Sequence, residues 1–497
     1  MYSYTISSIL ERFHHYLDRN LLFCRDHRAA RVSAFWTQHF NDRSNFPKVP
    51  DLMSFRQGDF LYGIGDTKQS SAEQKQREFE EIRKSIALFT PDAFVVALRE
   101  PYFGAPLVFQ NGTNWQSSSF ILNAGTTWRV SELLKCYGPQ GRGLHACEIG
   151  AGWGACAYQL HQATDILSYT IIDLPENLCL SSTYLTAALP DRATQFVDCG
   201  PGALQAPAQA ALYFGLPPAI DRLSGPYDLI LNTVSLQEMD RETVLEYLGW
   251  ASRSLAGDGV LVSFNSHDKE GVRRPSEYLT TPLELLHMRP FRKVPAGFFN
   301  TIPYEMVFRK TSDAKQDISV GVDALGEMMQ LGLDSQLADY TEALLNRQSG
   351  VVTSFLSDVR EFFYAADEER RAKSASGLLT NHRSAASTFL VANWQFAIGD
   401  FLTARQNLEE SLLLGLADFA RVRACVMLSL LGTRDLPELE ELSGGLLEEI
   451  LQILERQDIS SIQNQISRVI DCPVYTPRET AGFMRWVNNR LTRFMQR

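Results

Sequence analysis

The chain has 497 residues, 45% of them hydrophobic and 11% aromatic, which excludes a disordered chain and exceeds what one core holds. A net charge of −11 repels phosphate backbones and argues against general nucleic-acid binding. The eight cysteines, at 24, 136, 147, 156, 179, 199, 425 and 472, include no C-x-x-C pair and no zinc-finger spacing, so free thiols in a reducing cytoplasm are expected.

The opening stretch, MYSYTISSILERFHHYLDRN, has neither a basic start nor a sustained apolar run and does not read as a secretory signal. No run of about 18 apolar residues occurs, so no membrane span is expected. Residues 1–125 read as mainly helical, with TISSILERFHHYL and SAEQKQREFEEIRKSIALF at helical spacing. SAFWTQHFNDRSNFPKVP is aromatic-rich and ends in turn residues, and PYFGAPLVFQNG sets turn signals around a short apolar run. This region is expected to cover the substrate side.

From 126 to 312 strands alternate with helices. GLHACEIG is a strand of the buried type, followed by the helix WGACAYQLHQA. LSYTIIDL is the second strand and PENLCLSSTYLTAAL the second helix, with Pro175 in its first turn. ATQFVD, YDLILNTV and GVLVSFN follow as further strands, with the helix RETVLEYLGWASRSL before the last of them. FRKVPAGFFN and PYEMVFRK read as a closing pair turning near Asn300. The Pro/Gly/Ala-rich stretch between Cys199 and Pro226 reads as an inserted loop with a short helix, of a length that serves as a lid. Such alternation predicts an α/β, doubly wound, Rossmann-like parallel sheet.

From 313 to 497 the pattern is all helical. TFLVANWQFAIGDFLTARQNLEESLLLG reads as helix, Gly-Asp-aromatic turn and helix, with the small residues Ala404 and Ser411 seven apart, similar to one tetratricopeptide unit. A second copy, near LLGTRDLPELEEL, is weak. The final PRETAGFMRWVNNRLTRFMQR carries five arginines and reads as a solvated terminal helix. This region is expected to act in homodimerisation or in docking a protein partner.

The chemistry concentrates in CEIGAGWGACAYQL, Cys147 to Leu160. A glycine turn after a first parallel strand lets a ligand approach the backbone beside a helix N-terminus. Gly150, Gly152 and Ala155 also satisfy G-x-G-x-x-G/A, with Asp173 about twenty residues on, so a nicotinamide-dependent oxidoreductase stays open on that motif. Glu148 argues otherwise. An anion at the strand's carboxyl end suits a cationic ligand better than a pyrophosphate, and S-adenosylmethionine carries an ammonium and a sulfonium but no phosphate. Glu148, Gly150, Gly152 and Gly154 then form the turn. Asp173, followed by Leu174, takes the ribose hydroxyls, Asp198 meets the adenine amino group, and Asn232 supports the cofactor or the Gln237–Glu238 turn.

CEIGAGWGACAYQL, YTIIDLPENLCLSSTYL, YDLILNTVSLQEMD and GVLVSFNSH resemble the successive motifs of class I S-adenosylmethionine-dependent methyltransferases. More narrowly, they resemble the sugar O-methyltransferases found with bacterial polysaccharide biosynthesis. The resemblance covers residues 100–310 and leaves out the C-terminal third. It implies methyl transfer to a hydroxyl of a sugar or glycan. Such transfer needs an in-line approach and removal of the hydroxyl proton. Glu238 and His267, beyond the carboxyl ends of strands, are the candidate bases. A divalent metal on Glu238, His267 and Asp268 is the alternative, with no contiguous ligand motif behind it, and no metal ligands are assigned. Gln110, Asn123, Trp128 and Arg129 are further pocket candidates, and Trp115 and Trp153 are candidates for stacking on a sugar ring. A non-catalytic scaffold acting through its C-terminal helices is the remaining alternative.

Overall fold

A computed structural model describes residues 2–26, 49–56, 72–87, 90–200, 211–265, 282–290, 304–310, 354–365, 367–398 and 400–415, with 341, 424 and 428 singly. The chain divides into two compact units, one built around a sheet and one of helices.

The sheet unit begins with helix α1 (Tyr2–Asp26) and continues through α2 (Val49–Ser54), α3 (Ala72–Ala87) and α4 (Asp92–Ala97). A small antiparallel hairpin, β1 (Phe109–Asn111) and β2 (Asn114–Gln116), leads into α5 (Ser118–Tyr137). Ser117 caps α5 by accepting from the Phe120 N–H, and Gly138 ends it. Then come β3 (Leu144–Ile149), α6 (Ala155–Ala163), β4 (Ile166–Ile172), α7 (Pro175–Ala188), β5 (Ala193–Val197), β6 (Ala211–Gly215) and β7 (Tyr227–Thr233). Helix α8 (Arg241–Ser254), capped by Asp240, and strands β8 (Leu255–Asn265), β9 (Leu283–Pro290) and β10 (Tyr304–Lys310) follow in chain order.

The eight strands lie in the order β5-β6-β4-β3-β7-β8-β10-β9. β3 to β8 pair in parallel, whereas β10 runs antiparallel to β8. The central strands are buried on both faces, which is why LHACEI and YDLILN read as near-continuous apolar runs and not as alternation. Ala146, Tyr169, Leu229 and Val262 face one core with residues of α5, α6 and α7, while Tyr227 meets Trp250 of α8. The sheet is therefore doubly wound and Rossmann-like, as the alternation predicts.

Three details depart from the sequence reading. The stretch between Cys199 and Pro226 is not simply a loop, because ALYFG forms β6, all five residues buried, between β4 and β5. Its β-branched content is nil, but Leu212 and Phe214 turn one way into the core and pull the segment into the sheet. The strand beside β10 is LELLHMRP, whereas residues 291–300 lie outside the described residues. β8 begins four residues before the expected GVLVSFN.

Helix α1 packs against α7. Tyr16 stacks on Phe196 of β5 with ring centroids 5.1 Å apart, and its hydroxyl accepts from the Leu216 N–H at 2.9 Å. Arg129 of α5 makes a two-pronged ion pair with Glu305 of β10, at 2.6 and 3.0 Å, so this arginine clamps helix to sheet.

The helical unit holds α9 (Ser354–Tyr364), α10 (Glu368–Asn381), α11 (Ala385–Ile398) and α12 (Phe401–Leu413). α11 and α12 form the expected hairpin, with Asp400 capping α12 and Ala404 and Ser411 both buried. Asn407 donates to Gln395 across the hairpin at 2.7 Å. The weak second copy and the arginine-rich tail lie outside the described residues. Among the described residues, no helix is long and apolar enough to cross a membrane.

Candidate active site

The turn after β3 places Gly150, Gly152 and Gly154 all at positive φ, at +75°, +58° and +90°. Two of these glycines have distinct reasons. A Cβ on Gly150 would lie 2.2 Å from the Ser235 Oγ, so this position admits no side chain. A Cβ on Gly152 would meet nothing within 4 Å, so the turn faces open space there. Gly154 opens α6 as its N-cap.

Asp173, just past β4, holds the turn. Its Oδ2 accepts from the Gly152 N–H at 2.9 Å, and its Oδ1 from the Leu174 N–H at 2.7 Å and the Asn177 amide at 3.2 Å. Burial pushes its pKa up to about 7, against the pull of those three donors, and the nearby Glu238 charge pushes the same way. Leu174 is the N-cap of α7, with Pro175 behind it. Glu176, in the first turn of α7, is also raised to about 7, by burial first and by Asp173 as well. Its Oε2 has no hydrogen-bond partner. The sequence reading passed over Glu176 although it stands in the quoted DLPE stretch, because an acid in a first helical turn ordinarily serves the helix dipole.

Glu148 is 1% exposed. Its carboxylate accepts from the Tyr169 hydroxyl at 2.8 Å and the Thr233 hydroxyl at 3.4 Å, bridging to both neighbouring strands beneath the turn. Burial, then the Glu148 charge, pushes the Tyr169 hydroxyl well above its ordinary pKa, so tyrosine remains the donor.

Asn232 sits at the end of β7 in a buried polar knot. Its amide donates to the Ile149 carbonyl at 2.8 Å and to the Ser235 Oγ at 2.5 Å, while its Oδ1 accepts from the Leu236 N–H and from Asn265. Asn265 in turn accepts from the Gln237 N–H at 3.1 Å. Asn232 thus ties the glycine turn to the short 3₁₀ turn Leu236–Glu238, the second of its two expected roles. Glu238 is exposed at the end of that turn. Ser235, unremarked in the sequence, fills the space that Gly150 leaves; no spacing rule reveals it.

The other candidates are not gathered here. Asp198 follows β5, with β6 between it and β4, and its carboxylate is held by Asn20 at 2.8 Å and Arg19 at 3.1 Å. Trp128 packs on Phe94, Asn123 donates to the carbonyl one turn back at 2.8 Å, and Gln110 and Trp115 are exposed on the hairpin. Trp153 is buried within the turn, its ring centroid 4.8 Å from that of Tyr184. His267 and Asp268 lie outside the described residues. Among the described residues, no three His, Cys, Asp or Glu side chains gather as a metal site would require.

Gly150→Ala has a calculable consequence. The left-handed backbone and the Ser235 overlap together are expected to cost about 2–4 kcal/mol. Urea denaturation should show it, with partial recovery in Gly150→Ala/Ser235→Gly. An unchanged midpoint would count against close packing of Gly150 on Ser235.

No protein-family model matches the chain, and no curated protein matches it. Solved structures match part of the chain at low identity. A Burkholderia thailandensis 1,6-didemethyltoxoflavin-N1-methyltransferase with bound S-adenosylhomocysteine is 16% identical over 37% of this chain and 78% of its own, with a TM-score of 0.27. A ribosomal protein L11 methylase from Lactobacillus delbrueckii is 12% identical over 44% of this chain and 93% of its own, TM-score 0.26. An rRNA methylase from Streptococcus thermophilus is 13% identical over 37% and 96%, TM-score 0.26. The class of fold rests on the strand order itself, a doubly wound Rossmann-like sheet in which β10 runs antiparallel to β8.

Proposed function

We propose that this chain is an S-adenosylmethionine-dependent methyltransferase whose acceptor is a hydroxyl of a sugar or glycan. One observation carries the cofactor: Asp173, at the end of β4, clamps a glycine turn that opens to space at Gly152. The residues fit that group. Three donors fill three of the roughly four acceptor positions of the Asp173 carboxylate. The Asn177 contact, the longest at 3.2 Å, is the one a ribose hydroxyl replaces. Asp173, Glu176 and Glu238 gather acidic groups at this end of the site, and a cationic ligand favours the ionised forms that burial and mutual repulsion disfavour, whereas a diphosphate would oppose them. The antiparallel β10 also leaves the second half of the sheet without the parallel βαβαβ unit of a dinucleotide fold.

In this reading the cofactor supplies an electrophilic methyl group when bound. The chain's own work is positioning and proton removal. Asn232 fixes the Leu236–Glu238 turn, so Glu238 is held at the mouth as a base for the acceptor hydroxyl, with His267 as the second candidate. The sugar acceptor is carried by the resemblance of IIDLPE and NTVSLQEM. The three regions 1–125, 126–312 and 313–497 then act as cover, catalytic domain and partner-docking helices, in a cytoplasmic enzyme that needs no nucleic acid.

Calorimetric titration with S-adenosylhomocysteine, and separately with NADH, tests this reading. Micromolar binding of the former alone is expected. Binding of NADH alone would make the chain an oxidoreductase, and binding of neither by folded protein would favour the scaffold.

A further inference from the structure

A second recess lies at the other end of the strands from the glycine turn. There the loop after α5, the start of β8, the start of β9 and the end of β10 border a cleft of about 410 Å³. That volume falls in the range that holds a small ligand. Gly257 and Asp258 of β8 line it, whereas Asn265, which bonds to Asn232, ends the same 11-residue strand. At about 3.3 Å per residue the cleft is therefore on the order of 20 Å from the candidate active site.

The lining is polar, and most of its charges are already matched. Asp258 pairs with Arg142 at 2.9 Å. Glu284 Oε1 accepts from both the Nε and the Nη2 of Arg309, at 2.9 and 2.7 Å. Gln140 donates its amide hydrogens to the carbonyls of Leu134, Lys135 and Gly138 at the end of α5. Acceptors are left over at Glu284 Oε2 and Gln140 Oε1, and donors at Arg309 Nη1 and Lys310 Nζ, none with a partner among the described residues. A free anion or cation gains little where acids and bases neutralise each other. A neutral ligand with several hydroxyls gains at each of these atoms, because a hydroxyl both donates and accepts. Tyr137 adds an aromatic ring to the same lining. Gly257 keeps the cleft open, since a Cβ there would meet nothing within 4 Å.

We propose that this cleft binds a neutral sugar ring, whose hydroxyls pair with Glu284, Arg309, Lys310 and Gln140 and whose C–H face meets Tyr137. The ring is a free sugar or one unit of a longer glycan. The site is separate from the glycine turn and does not rest on the methyltransferase reading.

Two variants of the full chain test it. Gly257→Leu fills the cleft with a side chain that has room on the fold. Lys310→Met removes one donor from an exposed residue that pairs with nothing among the described residues. Both are expected to melt with wild type. Saturation-transfer difference NMR is run with methyl α-glucopyranoside, methyl α-mannopyranoside, methyl β-galactopyranoside and N-acetylglucosamine at millimolar concentration. Wild type is expected to saturate at least one of them, with the signal lost in Gly257→Leu and the affinity lower by about tenfold in Lys310→Met. If Gly257→Leu melts well below wild type, Lys310→Met decides alone. The bound sugar is then compared with its linear trisaccharide. Equal affinity assigns the cleft to a single free ring, and a gain of about tenfold or more assigns it to a glycan chain. Titration with S-adenosylhomocysteine should not differ between wild type and the variants. A wild type that holds sugar in the cleft and binds no adenosyl ligand keeps the cleft and ends the methyltransferase reading. The proposal is overturned if wild type saturates none of the sugars, if the signal survives both variants unchanged, or if inorganic phosphate or glycine at equal concentration displaces the sugar.

Discussion

Asp173→Asn should weaken S-adenosylhomocysteine binding by about 100-fold or more while leaving the chain folded. Two hydrogen bonds from a ribose diol to an ionised carboxylate contribute about 1.5–3 kcal/mol each, and the amide offers one acceptor oxygen where the acid offers two. The same residue fixes the pH dependence. In the folded chain Asp173 is raised from 3.8 to about 7 and Glu176 from 4.5 to about 7, both chiefly by burial. The folded state therefore holds protons that the unfolded state has released between about pH 4 and pH 7. Stability falls as pH rises through that window and levels off above it. The full charge on Asp173 costs the fold up to about 4 kcal/mol. Thermal melts at pH 5 and pH 8 should show a smaller difference in Asp173→Asn than in wild type. Ligand binding should run the other way. A diol favours the ionised carboxylate, so affinity should rise with pH up to about 7, by at most about tenfold per unit, and then flatten. Affinity that does not change between pH 5.5 and 8 would separate Asp173 from the ligand.

What the sequence made legible follows periodicity and turn chemistry. HACEI, YTII and LILN declare themselves as buried strands because both faces are covered, and Gly150, Gly152 and Gly154 declare a turn because three left-handed residues in five admit little else. Asp173 was legible by its distance from that turn. β6 was not, because ALYFG follows a Pro/Gly/Ala-rich stretch and its place beside β4 is a long-range pairing that no local window contains. The inner shell of the site was hidden for the same reason. Ser235 matters only because it meets Gly150, 85 residues away in sequence, and Arg56 only because it meets Glu100, Ser117 and Trp153. Glu148 shows the limit of motif reading. It was read as an anion for a cationic ligand, and its carboxylate accepts from Tyr169 and Thr233, across the sheet.

Arg56→Met should destabilise the chain by about 3–5 kcal/mol, the usual cost of stripping one partner from a buried ion pair. Glu100 would remain beside Ser117 with its counter-charge gone, and burial already raises its pKa in spite of Arg56. Without the guanidinium that rise grows, so the variant takes up a proton on folding. The sign follows: the defect is largest at pH 8 and shrinks as the pH falls towards 5, where the neutral carboxyl is accepted. Arg56→Met/Glu100→Gln should recover most of the loss at every pH, since the amide oxygen still accepts from the Ser117 N–H and no charge is buried. Urea midpoints of the two variants at both pH values decide the matter. A loss in Arg56→Met that ignores pH would assign the effect to the lost packing on Trp153 and to nothing electrostatic.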